Sequence, residues 1–344
     1  MSARTPYMQL YADAARQAIP LDIMVELTHR CTFRCRHCYI PDFHAPELLT
    51  TSRVLRLLDE LAEMGTLRLA LSGGELFLRP DWLAIATRAR RLGFELRLFS
   101  NGSTVTGPIA DAIAPLHAAV EVSLYSLDRE TFERVMRTPG SFDRTMRGIE
   151  LLRERDIPVL LKATMTIHTH ARVADVHAFA ASIGADCISS PGIMPRKDGT
   201  TGPLSQRVPE ALLLPYYAGP FAGSTVPTEC VPDRRDDGPL CAAASRSANI
   251  TAAGDVLPCV ILPMPAGNIC QQSFREIWED SPVMRRIRAI RRRDLIACDT
   301  CSKLAYCARC HAQALVEDGD LYGLSTWACE HAGVLEEVAR RRKA

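Results

Sequence analysis

The chain has no long apolar run. Nothing in its 344 residues approaches the roughly 18 consecutive apolar positions that a membrane-crossing helix needs. Met1 to Pro20 contains no basic segment followed by an apolar stretch, so a secretion signal is not expected. Excess charge of one sign is missing too: the formal net charge is +1, which excludes a global basic field for nucleic acid or a membrane surface. Aromatic residues are few, at 6%, yet 47% of the chain is hydrophobic and 24% charged, as in an ordinary globular protein with a true core. These absences predict a cytoplasmic protein with neither nucleic acid nor membrane as partner. In that setting thirteen cysteines favour metal or redox chemistry over a disulfide framework.

The densest cysteine group is Cys31-Thr32-Phe33-Arg34-Cys35-Arg36-His37-Cys38, spaced C-x3-C-x2-C. It directly follows the alternating run Asp22 to Thr28, which reads as a strand. Three thiols without a nearby fourth suit an iron–sulfur cluster whose last iron stays open, whereas structural zinc closes a set of four. This segment resembles the cluster loop of the radical S-adenosylmethionine (AdoMet) superfamily, with His37 at a position that is often aromatic. The resemblance implies that Cys31, Cys35 and Cys38 hold a [4Fe-4S] cluster whose open iron is chelated by AdoMet. Reductive cleavage of AdoMet would then give a 5′-deoxyadenosyl radical that takes hydrogen from an unactivated C–H bond. The resemblance also places Tyr39 among the AdoMet contacts.

After this loop, helix and strand patterns alternate. Helices are predicted from Thr51 to Gly65, from Pro80 to Gly93, and over Pro108–Leu116, Phe142–Arg155 and Arg172–Ile183. Strands are predicted over Leu67–Leu71, Phe94–Phe99, Ala119–Leu124, Val159–Met165 and Asp186–Ser189. About six such units force a parallel sheet and are too few for an eight-fold barrel, so the expected α/β fold is a partial (β/α)6 barrel, which the family resemblance also implies. Ligands of such sheets gather at the carboxyl ends of the strands.

The motifs sit at those ends. Ser72-Gly73-Gly74-Glu75 follows the second strand; paired glycines allow close backbone approach, and Glu75 offers a carboxylate to an amine. By resemblance Gly73, Gly74 and Glu75 hold the AdoMet amino group, with Leu76 where a proline is usual. Asn101 ends the third strand. Resemblance makes Ser123 a polar contact to AdoMet and Arg137 the partner of its carboxylate, a role suited to a guanidinium. Tyr125 stands where many relatives carry an acid, so no acid role is carried onto it. Lys162 reads equally as a barrel-interior cation near substrate or as a solvated edge lysine.

Residues 196–240 are rich in Pro, Gly, Asp and Arg and are expected to bridge two domains, with one periodic stretch at Pro209 to Tyr217. From there come Cys241, then Gly254 to Cys259, then Cys298-x2-Cys301-x5-Cys307-x2-Cys310, and finally Cys329. This order resembles the SPASM extension of radical AdoMet enzymes. It implies one auxiliary cluster on Cys241, Cys259 and Cys310 and another on Cys298, Cys301, Cys307 and Cys329, hence three [4Fe-4S] clusters in all. Ser247 and Ala248 stand where many relatives have a further cysteine, so the first auxiliary cluster either keeps an open iron or is closed by Cys230 or Cys270. Cys187 reads as a core residue. Zinc on the C-x2-C pairs is the rival reading. The arginine-rich run from Met284 to Asp294 reads as a solvated helix face.

The expected division is an N-terminal segment 1–20, the barrel 21–195, the linker 196–240, the auxiliary-cluster domain 241–331 and a C-terminal helix 332–344. The expected activity is radical oxidoreduction that crosslinks or oxidises a ribosomally made peptide. A flavodoxin or ferredoxin-type reductant is expected as partner. About 20 residues before the barrel leave no room for a fused leader-binding domain, so either a separate leader-binding protein is a partner or the substrate is not such a peptide. The alternatives are radical chemistry on a small molecule (an aminocyclitol, sugar or haem precursor) and a non-catalytic iron–sulfur electron carrier. Sulfatase maturation fits less well, because Val260 rather than an acid follows Cys259.

Overall fold

Strand alternation sets the architecture. The computed structural model describes residues 6–219 and 238–343. Its strands are β1 (Asp22–Glu26), β2 (Arg68–Ser72), β3 (Glu95–Ser100), β4 (Ala119–Ser123), β5 (Val159–Thr164), β6 (Asp186–Ser190), β7 (Ser247–Ile250), β8 (Asp255–Leu257) and β9 (Gly267–Asn268). The helices are α1 (Pro6–Gln17), α2 (Thr51–Glu63), α3 (Trp82–Arg91), α4 (Gly107–Ile113), α5 (Arg129–Met136), α6 (Ser141–Arg153), α7 (Val173–Ser182) and α8 (Glu210–Ala218), then α9 (Phe274–Asp280), α10 (Pro282–Ala289), α11 (Ile296–Asp299), α12 (His311–Asp318) and α13 (Thr326–Lys343). Among the described residues no helix is long and apolar enough to cross a membrane.

The sheet order is β6-β5-β4-β3-β2-β1-β7-β8-β9. All pairs from β6 to β7 are parallel, and β7-β8-β9 is an antiparallel meander. The expected partial barrel is present as β1 to β6 with its helices. One side of each of β1 to β5 is apolar and buried: Ile23 and Val25, Leu69 and Leu71, Leu96 and Leu98, Val120 and Val122, Leu161 and Ala163. They pack in one core with Val54, Leu57, Leu58 and Leu61 of α2 and with Ile85, Ala86 and Ala89 of α3. Each buried Val, Leu or Ile side chain among them adds about 1.5–3 kcal/mol by leaving water. The alternate positions are largely polar and face the interior.

Three features depart from expectation. The cysteine-rich segment is not separate from the barrel sheet: β7 pairs with β1 in the register Asp22↔Ser247 and Met24↔Asn249, so both segments share one sheet. The last helix begins at Thr326 rather than at residue 332, because Asp318 accepts the Thr326 N–H (3.0 Å) and binds its hydroxyl, capping the helix there. Helix α5 was not anticipated, although Asp128 caps it by accepting the Thr131 N–H (2.9 Å) and Phe132, Val135 and Met136 fall at helical spacing. Within the expected linker, Pro209 to Tyr217 does become helical as α8, where Tyr217 Oη lies 2.7 Å from His331 Nε2 on α13.

The amino-terminal end of the barrel is closed by α1. Arg68 of β2 and Arg246 both pair with Asp22 of β1, and both guanidinium groups lie over the Tyr11 ring, at 5.6 and 4.6 Å from its centroid. The opposite end stays accessible.

Candidate active site

The cysteine loop follows β1 and is tied down on two sides. The N–H groups of Arg34 and Arg36 each donate at 3.1 Å to the carbonyls of Met136 and Val135 at the end of α5. Phe33 is buried and meets Phe132 edge to face. Cys35 Sγ rests 3.2 Å from Met136 Sδ. The three thiols are mutual neighbours: burial first, then Cys38 and Cys31, push the Cys35 thiol well above its usual range. Burial also pushes Cys31 up to about 11. All three line one cavity of about 400 Å³ with no fourth cysteine among its described lining. That donor set fits a cluster with one corner left for a small ligand.

Gly73 and Gly74 are required because the cysteine loop lies against them. A Cβ on Gly73 would stand 2.6 Å from the Thr28 carbonyl oxygen, and one on Gly74 2.5 Å from that of His29. The contact is closed by Gly74 N–H to Thr28 O and Glu75 N–H to Arg30 O, both 2.8 Å. Motif and loop therefore form one rigid cradle. Gly73, Gly74, Asn101, Ser123 and Tyr39 all line the cavity with the thiols. Asn101 Nδ2 also donates to Cys31 Sγ at 3.7 Å and to Thr32 Oγ1 at 3.0 Å.

Two expected contacts are placed differently. The Glu75 carboxylate does not line the cavity; it is wholly buried and accepts from Ser100 Oγ (2.9 Å), Thr104 Oγ1 (3.0 Å), Phe77 N–H (3.3 Å) and Asn101 N–H (2.8 Å). Three donors on Oε1 and one on Oε2 tie the end of β2 to the end of β3, so it acts as a strut. Arg137 is exposed, has a left-handed backbone (φ 53°) at the end of α5, and is not part of the cavity wall, to which its neighbour Met136 contributes instead.

Sequence reasoning missed several residues in and beside this cavity. Burial pulls the His37 imidazole down to about 4, and its ring meets Tyr125 edge to face at 4.9 Å. Lys197, from the segment after β6, forms an ion pair with Glu26 at the end of β1, and its N–H donates to the Tyr39 carbonyl at 3.0 Å. Glu26 was legible as an inward position at the end of an alternating strand; Lys197 lay in a stretch without periodicity.

The two readings of Lys162 are now decided in favour of the interior. Its ammonium lies 3.6 Å from the Phe99 ring centroid and pairs with Glu121, which also takes Arg97 at 3.2 Å. Lys162 and Glu121 line the cavity midway along the barrel. Ile193 and Met194 line it from the segment after β6, and Val260 and Ile261 from beyond Cys259. The cavity thus runs from the first thiol group to the cysteine-rich segment.

The remaining cysteines fall into two neighbourhoods. Burial pushes Cys259 up to about 12, with Cys310 and Cys241 adding to it. Burial pushes Cys307 up to about 11, with Cys329, Cys298 and Cys301 adding to it. Among the described residues no three His, Cys, Asp or Glu side chains converge on a single-ion site, so the thiols are grouped without meeting at one point. Cys270 belongs to neither group: its Sγ faces the Leu48 carbonyl at 3.7 Å, beside Gly254. Cys230 lies outside the described residues. Cys187 is half-buried on β6 and packs at the edge of the core, as expected.

Comparison with known proteins agrees with this geometry. Residues 25–182 match the radical SAM superfamily, and residues 241–311 match the iron–sulfur cluster-binding SPASM domain. The chain is 28% identical over 330 residues to an AdoMet-dependent heme synthase of Methanosarcina barkeri, spanning 88% of this chain and 94% of that protein. It is 28% identical over 342 residues to a PqqA peptide cyclase of Xanthomonas campestris, spanning 93% and 90%. The fold resembles Streptococcus suis SuiB bound to its precursor peptide SuiA (TM-score 0.72, 16% identity, 95% of this chain and 82% of that one). It also resembles anSMEcpe with bound AdoMet (TM-score 0.72, 14% identity, 94% and 98%). The chain belongs to the radical SAM superfamily as an enzyme with a C-terminal SPASM domain, and its cofactors are AdoMet and iron–sulfur clusters.

Proposed function

We propose that this enzyme modifies a peptide, forming a crosslink or an oxidised position at an unactivated carbon. The observation that carries the reading is the cavity itself: three thiols form one end, and residues directly after Cys259 help to close it, so a substrate group lies between two cluster sites. PqqA peptide cyclase among the relatives, and SuiB with its precursor peptide among the folds, support a peptide substrate. The likeness to the heme synthase supports the second reading, radical oxidation of a small molecule in the same cavity.

In this reading Cys31, Cys35 and Cys38 hold the catalytic cluster, and Tyr39, Gly73, Gly74, Asn101 and Ser123 bind AdoMet. Cys241, Cys259 and Cys310 hold one auxiliary cluster, and Cys298, Cys301, Cys307 and Cys329 the other, for three [4Fe-4S] clusters. When bound, AdoMet and the catalytic cluster would supply radical hydrogen abstraction at an unactivated carbon, and an auxiliary cluster would supply an electron acceptor. The chain's own part is positioning. The glycine cradle fixes the loop, Phe33 and Met136 pack it, and the Lys162–Glu121 pair orients a polar substrate group with the one ion pair of the described cavity wall. The twelve free cysteines of the described residues favour a reducing cytoplasm. A flavodoxin or ferredoxin-type protein would supply electrons, and a separate protein would present the peptide leader.

The test is anaerobic reconstitution with iron and sulfide counting, then incubation with candidate precursor peptides under reducing conditions. About twelve irons, falling to about eight in Cys31→Ala/Cys35→Ala/Cys38→Ala with loss of AdoMet cleavage, is the expected result. A peptide product lighter by two hydrogens would support the peptide reading. Cleavage that survives the triple change, or zinc in place of the lost iron, would overturn the assignment.

A further inference from the structure

Two buried carboxamides near Cys259 and Cys310 have no protein partner. Asn249, on β7, is 1% exposed, and neither its Nδ2 nor its Oδ1 is hydrogen-bonded. Gln313, in the first turn of α12, is equally buried and equally unpartnered, while its backbone N–H donates to the Cys310 thiol. An unpaired buried polar group costs about 1–3 kcal/mol, so residues placed this way imply a partner that is not protein.

The surroundings of Asn249 are well defined. Register places it beside Met24, and the two help to line a cavity of about 250 Å³ whose wall includes Arg97, Phe99, Ser247 and Cys259. The charged groups there are already engaged: Arg97 with Glu95 and Glu121, and Asp22 with Arg68 and Arg246. What the wall also contains is a thiol that the assignment above gives to an auxiliary cluster. At the first thiol group the same residue type already does this work, since Asn101 donates its amide N–H to Cys31 Sγ.

We propose that the Asn249 side-chain amide is a hydrogen-bond donor to the cluster held by Cys241, Cys259 and Cys310, a positioning residue that raises the reduction potential of that cluster. The proposal rests on the three-cluster reading. An N–H directed at cluster sulfur favours the reduced state, because it stabilises the added negative charge. Three thiols and a polar face leave this cluster more dependent on such a donor. Asn249 and Ser247, two residues apart on β7, supply that face.

The test is a redox titration followed by electron paramagnetic resonance on the reconstituted full-length protein. The same titration in the Cys31→Ala/Cys35→Ala/Cys38→Ala background separates the auxiliary signals from the catalytic one. Asn249→Leu, matched for iron content, is expected to shift the reduction equilibrium of one auxiliary cluster about tenfold toward the oxidised form, about 59 mV for one electron. Asn249→Asp, which lacks the donor, shifts it in the same direction. In unsubstituted protein labelled with ¹⁵N in asparagine side chains, pulsed measurements in the same background should show a nitrogen coupling that Asn249→Leu removes. An unchanged potential with the cluster intact, or no nitrogen coupling in the unsubstituted side chain, overturns the proposal. Iron that stays at the full count in Cys259→Ser would instead sink the cluster assignment, and this proposal with it, before any potential is read.

Discussion

Lys197 and Glu26 form an ion pair across the open side of the barrel. Glu26 ends β1 and Lys197 follows β6, the two outermost strands of the six, and their side chains are only 1% and 10% exposed. Hydrogen bonding cannot close the sheet there, so one buried pair does so, and the Lys197 N–H fixes the carbonyl of Tyr39 directly after the last loop thiol.

Removing half of that pair leaves a buried charge uncompensated. Lys197→Met is expected to destabilise the protein by about 3–5 kcal/mol and to weaken AdoMet binding through Tyr39. The double variant Glu26→Gln/Lys197→Met should recover much of the stability but not the AdoMet affinity. Denaturant unfolding and equilibrium AdoMet binding on the three proteins check this. A single variant as stable as the parent would show that the pair does not close the barrel.

Glu75 distinguishes a strut from a ligand. Glu75→Gln replaces one acceptor oxygen with a donor facing N–H groups, and the main-chain donors of Phe77 and Asn101 cannot turn away. A loss of about 1–3 kcal/mol in stability is expected, with the AdoMet dissociation constant of the folded protein changed by less than about threefold. A large loss of affinity at unchanged stability would return Glu75 to the role of amine ligand.

What the residues made legible, and what they did not, follows one physical line. Two-residue alternation exposed the strands because one side of each is packed under helices, and the cysteine and glycine motifs fell at strand ends as parallel sheets require. Direction was not legible. Glu75 has the right type at the right turn, but only the fold shows four donors already around its carboxylate. Arg137 likewise turns outward because the left-handed end of α5 sends Met136 inward. The pairing of β7 with β1 joins residues more than two hundred positions apart, and no local pattern reports such a contact. Lys162 is an intermediate case: alternation allowed both faces, and Phe99 and Glu121 decide between them.

Lys162 offers a test of the substrate end of the cavity. Lys162→Met leaves Glu121 to Arg97 alone and removes the only lysine or arginine in the described cavity wall. Product formation is expected to fall by more than about tenfold, through KM or kcat, with a smaller effect on AdoMet cleavage measured without substrate, and Lys162→Arg should restore part of the loss. If both rates fall equally, the residue acts on AdoMet rather than on substrate.

Cys270 and Cys259 separate the ligands from the bystanders. Both are half-buried cysteines of the same segment; the family resemblance gives Cys259 to the first auxiliary cluster and leaves Cys270 as one thiol that could close its fourth corner. Position divides them: the Cys259 thiol is raised by burial and by Cys310 and Cys241, whereas Cys270, just past β9 and beside Gly254, turns its Sγ to the Leu48 carbonyl. Cys270→Ser is therefore expected to keep the full iron content and an unchanged auxiliary signal. Cys259→Ser should lose about four irons, because two remaining thiols do not hold a cubane. Iron and sulfide counts on the two reconstituted variants decide the matter. Loss of iron from Cys270→Ser would mean that the turn carrying it swings toward Cys241 when the cluster assembles, and that the fourth corner is closed by a thiol after all.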